Sequence, residues 1–283
     1  MIDELLHQLR EKYGSCEARA LYELILGKRF GFSRADILLG KDTTLSAKDK
    51  AELKIIVDRV AKGEPVQYVL GSEEFCGHEF GVGPGVLVPR PETKQLVELV
   101  RQNVAPGSRV LDIGTGSGCI AVTLALEDYE VTAIDVSEEA LRIARKNAKR
   151  LGADVEFVKA DILSGFRFQV SGSMSHVSIF NCIVSNPPYV CESEARDMDE
   201  NVLLHEPHLA LFVPDDDPLL FYRAIADFGL QNLADEGQLF FEANRAYARQ
   251  VSELLLQKDY TDVKIVKDEY DNDRFVCARR KAL

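Results

Sequence analysis

The sequence lacks the cysteine spacing that binds zinc. Its six cysteines, Cys16, Cys76, Cys119, Cys182, Cys191 and Cys277, are scattered with no C-x-x-C pair, so neither a zinc ribbon nor a disulfide framework is indicated and reduced thiols are expected. A basic excess is missing too. With 34 Lys and Arg against 46 Asp and Glu, the formal net charge is −12, and a broad surface for gripping a nucleic-acid backbone is not expected. No uninterrupted apolar run reaches the length of about 18 residues that a membrane span needs. Residues Met1-Ile2-Asp3-Glu4-Leu5-Leu6-His7 are acidic and amphipathic, not basic and then apolar, which predicts a cytoplasmic protein with no membrane association. Neither a G-x-S-x-G nucleophile elbow nor a Walker loop is present, so acyl transfer and ATP hydrolysis are disfavoured.

What is there describes a folded chain. Its 283 residues are 46% apolar and 28% charged, near the globular average and enough for one large domain or two ordinary ones. From Ile2 to about Gly71 apolar residues recur at helical spacing, as in Leu5, Leu6, Leu9 and in Leu53, Ile56, Val57, Val60, which predicts four or five short helices. Ser33 and Ser46 are the expected N-caps, with Asp49 placed to close a capping box. Between Phe75 and Pro91, five residues, Gly77, Gly81, Gly83, Pro84 and Gly85, then Pro89 and Pro91, punctuate short apolar runs, as in a hairpin and linker. The expected division is therefore a helical domain over 1–73, a hairpin linker over 74–91 and a second domain over 92–283.

In the second domain strand and helix patterns alternate. Expected strands are Arg109 to Asp112, Val131 to Asp135, Val155 to Lys159, Ile179 to Ser185 and Gln238 to Glu242. Expected helices are Cys119 to Glu127, Glu138 to Leu151, Leu219 to Leu233 and Ala246 to Lys258. Such alternation predicts an α/β fold, a Rossmann-like doubly wound parallel sheet covered on both faces, with ligands at the carboxyl ends of the strands.

Asp112-Ile113-Gly114-Thr115-Gly116-Ser117-Gly118 carries a strand into glycines and then a helix. Glycines there let a backbone approach a ligand closely. Asp135 closes the next strand, where a carboxylate accepts hydrogen bonds from ribose hydroxyls. The dinucleotide fingerprint would need glycine where Cys119 stands, and an acid, Asp112, precedes the turn. This favours S-adenosylmethionine, whose cationic sulfonium and amino groups suit an acidic crevice and which has no pyrophosphate to seat. The expected cofactor-binding set is Gly114, Thr115, Gly116, Ser117, Gly118, Asp135, Asp161, Ile162 and Asn186. Asp161 is read either as an acceptor for the adenine amino group, with Ile162 against the ring, or as an exposed loop aspartate.

Ser185-Asn186-Pro187-Pro188-Tyr189 ends the fourth expected strand, at the same edge as the glycine turn. The prolines fix φ and bias the residues before them toward extended backbone, which aims main-chain carbonyls outward. The Asn186 side-chain oxygen and the Pro187 carbonyl then form an acceptor clamp for a planar NH2 group, with Pro188 stiffening the loop and Tyr189 stacking on the substrate. The catalytic set is Asn186, Pro187 and Tyr189, and the substrate-binding set adds Pro188. A proline-stiffened β-to-α loop without chemistry is the alternative.

At this point the sequence resembles the PrmC/HemK protein-glutamine methyltransferases. The resemblance runs over nearly the whole chain: Glu64-Pro65-Val66-Gln67-Tyr68-Val69-Leu70-Gly71, Phe75, Val86-Leu87-Val88-Pro89-Arg90-Pro91-Glu92-Thr93, the glycine turn, Asn186 to Tyr189, and Glu206-Pro207-His208-Leu209-Ala210-Leu211, in family order. It implies a class I methyltransferase fold with a small all-helical N-terminal domain. It also implies S-adenosylmethionine as cofactor and peptide-chain release factors as partners, modified on the glutamine of their Gly-Gly-Gln loop. Lys94, Ile162 and Pro218 depart from the family pattern, and the segment from Phe166 to Ser178 is longer than usual.

Two other functions are compatible with these motifs: an adenine amino-methyltransferase acting on DNA or RNA, which uses a similar motif on an equally planar amine, and a non-catalytic adaptor that binds release factors. His205-Glu206-Pro207-His208 invites a metal reading, but Pro207 breaks the helix that such a site requires, and Asp215-Asp216-Asp217 reads as a solvated turn. No metal, no direct nucleic-acid contact and a monomer are expected.

Overall fold

The computed structural model describes residues 2–165 and 180–282, so Ile179 and the long segment from Phe166 to Ser178 lie outside the described residues. Two compact units emerge. One holds the chain up to Ser72 with Val82–Pro84 and Met198–Glu206, and the other holds Glu73–Gly81, Gly85–Asp197 and Pro207 onward.

The helical unit is built on α1 (Ile2–Phe30), α2 (Arg34–Leu38), α3 (Ala47–Ala61) and α4 (Val66–Leu70). The first is far longer than the short helices expected, but it is interrupted at Gly14, whose φ of 73° and ψ of 175° no helix contains. Both expected caps form. The reciprocal capping box closes at Ser33, where each partner of the Ser33–Asp36 pair accepts the other's backbone N–H. At Ser46 the hydroxyl accepts the Asp49 N–H and itself donates to the Asp49 carboxylate. Each cap contributes about 1 kcal/mol. Leu5, Leu9, Ile25 and Leu26 pack against Leu53, Ile56, Val57 and Val60 in a single apolar cluster.

The second unit opens with the hairpin of β1 (Ser72–Phe75) and β2 (His78–Gly81). Its turn is Cys76-Gly77, both at positive φ, the two-residue geometry whose twist matches the flanking strands. There follow α5 (Thr93–Asn103), β3 (Arg109–Ile113), α6 (Cys119–Ala125), β4 (Glu130–Asp135), α7 (Glu138–Leu151), β5 (Val155–Lys159), β6 (Phe180–Ser185) and β7 (Val190–Cys191). The short α8 (Glu200–His205) belongs to the helical unit. Then come β8 (Phe212–Val213), α9 (Leu220–Asn232), β9 (Leu233–Glu242), α10 (Ala248–Gln257), β10 (Thr261–Lys267) and β11 (Asp273–Arg279).

Seven strands form one sheet in the order β10-β11-β9-β6-β3-β4-β5. The five strands from β9 to β5 pair in parallel as expected. Two strands beyond the expected five extend the sheet at one edge, where β11 runs antiparallel to both β9 and β10. Five residues separate β10 from β11, and a connection that short can only reverse the chain. The helix α5, also beyond the expected elements, buries Leu96, Val97 and Val100.

Central strands are apolar on successive residues because each face meets its own core. Val110, Cys182, Val184, Phe240 and Phe275 point into the layer covered by α5 and α6. Their neighbours Leu111, Ile183, Leu239, Phe241 and Val276 point into the layer covered by α9 and α10. The period of 2 thus divides one strand between two cores.

Candidate active site

From β3 the chain steps outward to β4 and β5, then returns to β6 on the other side of β3. Strand order reverses there, which opens a crevice at the carboxyl ends. Register decides what meets in it. Ile113 pairs with Ile134 on one side and with Ser185 on the other, so Gly114, Asp135 and Asn186 leave three neighbouring strands at one level. The Ser185 hydroxyl ties β6 to β3 by donating to the Ile113 carbonyl at 2.7 Å.

The glycine turn is folded by its own backbone. Gly114 and Thr115 donate to the Ile134 carbonyl at 2.9 and 3.1 Å, and Gly118 donates to the Thr115 carbonyl at 2.8 Å. Gly114 and Gly116 sit at φ of 77° and 55°, and a Cβ built on either meets no atom within 4 Å. Their surface is open to a ligand. Gly118, at φ of 81°, instead lies where a Cβ would come within 3.0 Å of the Ala144 Cβ. It sets the spacing of α6 from α7 and is not among the residues lining the crevice.

Asp135 accepts the Gly116 N–H at Oδ2 and the Ser137 N–H at Oδ1, both at 2.9 Å. Each oxygen keeps lone-pair capacity for a ligand hydroxyl. Burial raises the Asp135 carboxyl above its ordinary range, with those backbone donors pulling it back. Beneath the turn, Asp112 is fully buried, accepts the Thr115 hydroxyl at 2.7 Å, and leaves Oδ1 without a hydrogen-bond partner among the described residues. Burial chiefly, and the Asp135 charge in addition, push it up to about 7. A cationic ligand fits this surplus of carboxylates.

The crevice has a volume of about 310 Å³ and takes in Gly114, Thr115, Gly116 and Ser117 from the turn. Asp135, Asp161 and Ile162 line it further along, and Asn186, Pro187 and Pro188 line its other side. Every lining residue belongs to the second unit. Asp161 caps a 3-10 turn by accepting the Leu163 N–H at 2.9 Å.

Tyr189 is not among the lining residues. Its ring packs against the α9 and α10 core layer, and its hydroxyl donates to Glu242 Oε1 at 3.2 Å. The helix α8 ends at His205, and Glu206 has extended backbone, so His205 and His208 do not share a helix face.

Three residues outside the expected set hold this site together. Asn147 donates to the Ser117 carbonyl at 2.9 Å and to the Gly81 carbonyl at 3.0 Å, and accepts the Gly81 N–H at 2.7 Å. Thr93, the first residue of α5, donates to Glu242 Oε2 at 2.7 Å and accepts from Asn186 Nδ2 at 3.2 Å. Glu242 is delivered by register, since Ser185 pairs with Phe241. Its signal in the sequence is a lone acid ending the apolar run Leu239-Phe240-Phe241.

A glycine turn after a central strand, an acid closing the next strand and an Asn-Pro-Pro-Tyr loop at the switch point define an S-adenosylmethionine-dependent methyltransferase. Residues 91–211 match the methyltransferase small domain and residues 1–71 the PrmC N-terminal domain. The release factor glutamine methyltransferase of Bacteroides thetaiotaomicron is 47% identical over 274 residues, covering 96% of this chain and 96% of its own. That of Bacillus subtilis is 37% identical over 265 residues, 90% of this chain and 89% of its own. A methyltransferase structure from Pyrococcus furiosus shares the fold with a TM-score of 0.53 at 18% identity, covering 84% of this chain and 100% of that one. The chain belongs to the release factor glutamine methyltransferase family.

Proposed function

We propose that this protein transfers a methyl group from S-adenosylmethionine to the side-chain amide nitrogen of the Gly-Gly-Gln glutamine in peptide-chain release factors. The observation that carries the reading is the placement of Asn186, whose amide nitrogen is engaged by Thr93 while the residue lines the crevice beside the open glycine turn.

S-adenosylmethionine supplies an electrophilic methyl group carried on a cationic sulfur. Gly114, Gly116 and Asp135 hold the nucleoside end, and Asp161 and Ile162 serve the adenine. The glutamine nitrogen is a weak nucleophile because its lone pair is delocalised into the carbonyl. Asn186 Oδ1 and the Pro187 carbonyl each accept one of its two hydrogens, which fixes the nitrogen in place and strips it from water. As the nitrogen gains positive charge, both acceptors bind it more strongly than in the ground state, so their binding energy lowers the barrier. As the new N–C bond forms, the sulfur–methyl bond would break with its electron pair left on sulfur, so the cofactor would depart as a neutral thioether, and one proton of the methylated nitrogen would then pass to solvent. Pro187 and Pro188 keep both acceptors from moving.

The helical unit, which supplies none of the crevice lining among the described residues, docks the body of the release factor in this reading, and the protein acts as a cytoplasmic monomer. Mass spectrometry of a purified release factor incubated with enzyme and labelled cofactor tests the reaction. A label on the Gly-Gly-Gln glutamine is expected. Label on nucleic acid alone would replace this reading with that of an adenine methyltransferase.

A further inference from the structure

Behind the crevice wall the contact between Asn186 and Thr93 continues into a buried polar chain. Asn186 Nδ2 donates to Thr93 Oγ1, Thr93 Oγ1 donates to Glu242 Oε2, and Tyr189 donates to Glu242 Oε1. Two hydroxyls, from α5 and from the loop after β6, thus meet on the carboxylate at the end of β9, and Asn186 joins them through Thr93.

We infer that Thr93 and Glu242 are positioning residues which hold the Asn186 amide with its oxygen toward the substrate nitrogen. The inference rests on the methyl-transfer reading and deepens it. The argument is one of donors and acceptors. Thr93 donates to Glu242 Oε2 at 2.7 Å, which spends its single hydroxyl hydrogen. Its oxygen is then an acceptor alone, and the Asn186 group 3.2 Å away has to be the NH2. An amide turned by 180° would set Oδ1 against Oγ1 with no hydrogen between them. Asn186 Oδ1 is thereby directed away from Thr93, as an acceptor clamp requires. Tyr189, the last residue of the Asn-Pro-Pro-Tyr motif, takes the second oxygen of the same carboxylate, which ties both ends of the loop to one group.

The placement is costly, and this separates it from ordinary core packing. Thr93 and Glu242 are 2% and 1% exposed, and an apolar pair of similar shape would be cheaper to bury than a hydroxyl and a carboxylate. Burial raises the Glu242 carboxyl above its ordinary range, whereas the Thr93 and Tyr189 hydrogen bonds and the charge of Arg274 on β11 act in the opposite direction. Arg274 is held there by the pairing of Phe275 with Glu242 and by its carbonyl, which accepts the Ala243 N–H at 2.8 Å.

The experiment compares Thr93→Val, which keeps the shape and removes the hydroxyl, with Thr93→Ser and Glu242→Gln. Single-turnover rates on a release factor are read with calorimetric cofactor affinity, melting temperature and the side-chain NH2 resonances of Asn186, assigned by their loss in Asn186→Asp. Thr93→Val and Glu242→Gln are expected to lower the rate by about 10- to 100-fold, below the loss from deleting the acceptor itself. Cofactor affinity should stay within about twofold, and Thr93→Ser should recover most of the rate. The Asn186 resonances should move in Thr93→Val and stay in place in Thr93→Ser. A Thr93→Val rate within about threefold of wild type, beside an inactive Asn186→Ala, would overturn the inference and leave the function standing. A wild-type protein that labels no glutamine would overturn the function instead. The resonances need no substrate, so unchanged shifts in Thr93→Val would by themselves overturn the anchoring.

Discussion

Asp135 Oδ2 accepts the backbone N–H of Gly116 at 2.9 Å, so the acid proposed for the ribose also holds the middle glycine of the turn. The turn leaves β3 beside the end of β4 because Ile113 pairs with Ile134, which brings Gly116 to Asp135.

Asp135→Ala is therefore expected to act on cofactor affinity above all. A ribose contact is the same in ground and transition states and constitutes uniform binding. Losing it, with the support of Gly116, should cost about 1.5 to 3 kcal/mol, the scale of hydrogen bonds to a charged group. Calorimetry should show the weaker binding, with turnover at saturating cofactor nearly kept. An unchanged dissociation constant would remove Asp135 from the site.

Asn186→Ala should show the opposite pattern. Cofactor affinity is expected to hold while single-turnover methylation falls by roughly 10²- to 10³-fold, the scale for one preorganised polar contact to developing charge. A loss under about tenfold at saturating cofactor would contradict the acceptor clamp.

Gly118→Ala tests packing separately from chemistry. The new methyl group meets Ala144 Cβ at 3.0 Å and demands φ of 81° from a residue with a side chain, so a stability loss of roughly 1 to 3 kcal/mol is expected. Adding Ala144→Gly should return only the steric part. Denaturant unfolding of the two variants checks this, and full recovery in the double variant would show that backbone strain contributes nothing.

Asp112 should make stability depend on pH in a definite direction. Its folded value of about 7 stands above its ordinary value of 3.8, so the folded protein holds the proton more tightly than the unfolded chain does. The stabilisation is complete below about pH 4 and is lost as pH rises through about 7. Asp112→Asn keeps an acceptor for Thr115 and never has to ionise. Its melting temperature relative to wild type should therefore climb between pH 4 and pH 8. A constant difference across that window would show that Asp112 does not titrate there.

The sequence by itself determined what depends on neighbours along the chain. Strand and helix periods placed β5 over Val155–Lys159 and α7 over Glu138–Leu151 with the observed bounds. The caps at Ser33 and Ser46 and the positive-φ glycines of the turn are local demands of the backbone, and so were legible. The Asp135 and Asn186 positions followed from ending parallel strands at one edge of a sheet. Only the tertiary structure decided what depends on register. Thr93 stands 93 positions from Asn186 and 149 from Glu242, and no periodicity reports a contact between residues so far apart. It exists because β6 and β9 pair with Ser185 opposite Phe241, and a slip of one residue would turn Glu242 to the other face of the sheet. The same holds for Tyr189, whose aromatic ring suits either a substrate or a core until the packing of α9 and α10 claims it. The apolar run Phe275-Val276-Cys277-Ala278 suits a strand covered on both faces, yet the antiparallel addition of β11 to β9, and of β10 to β11, is a matter of which edge was free to receive hydrogen bonds.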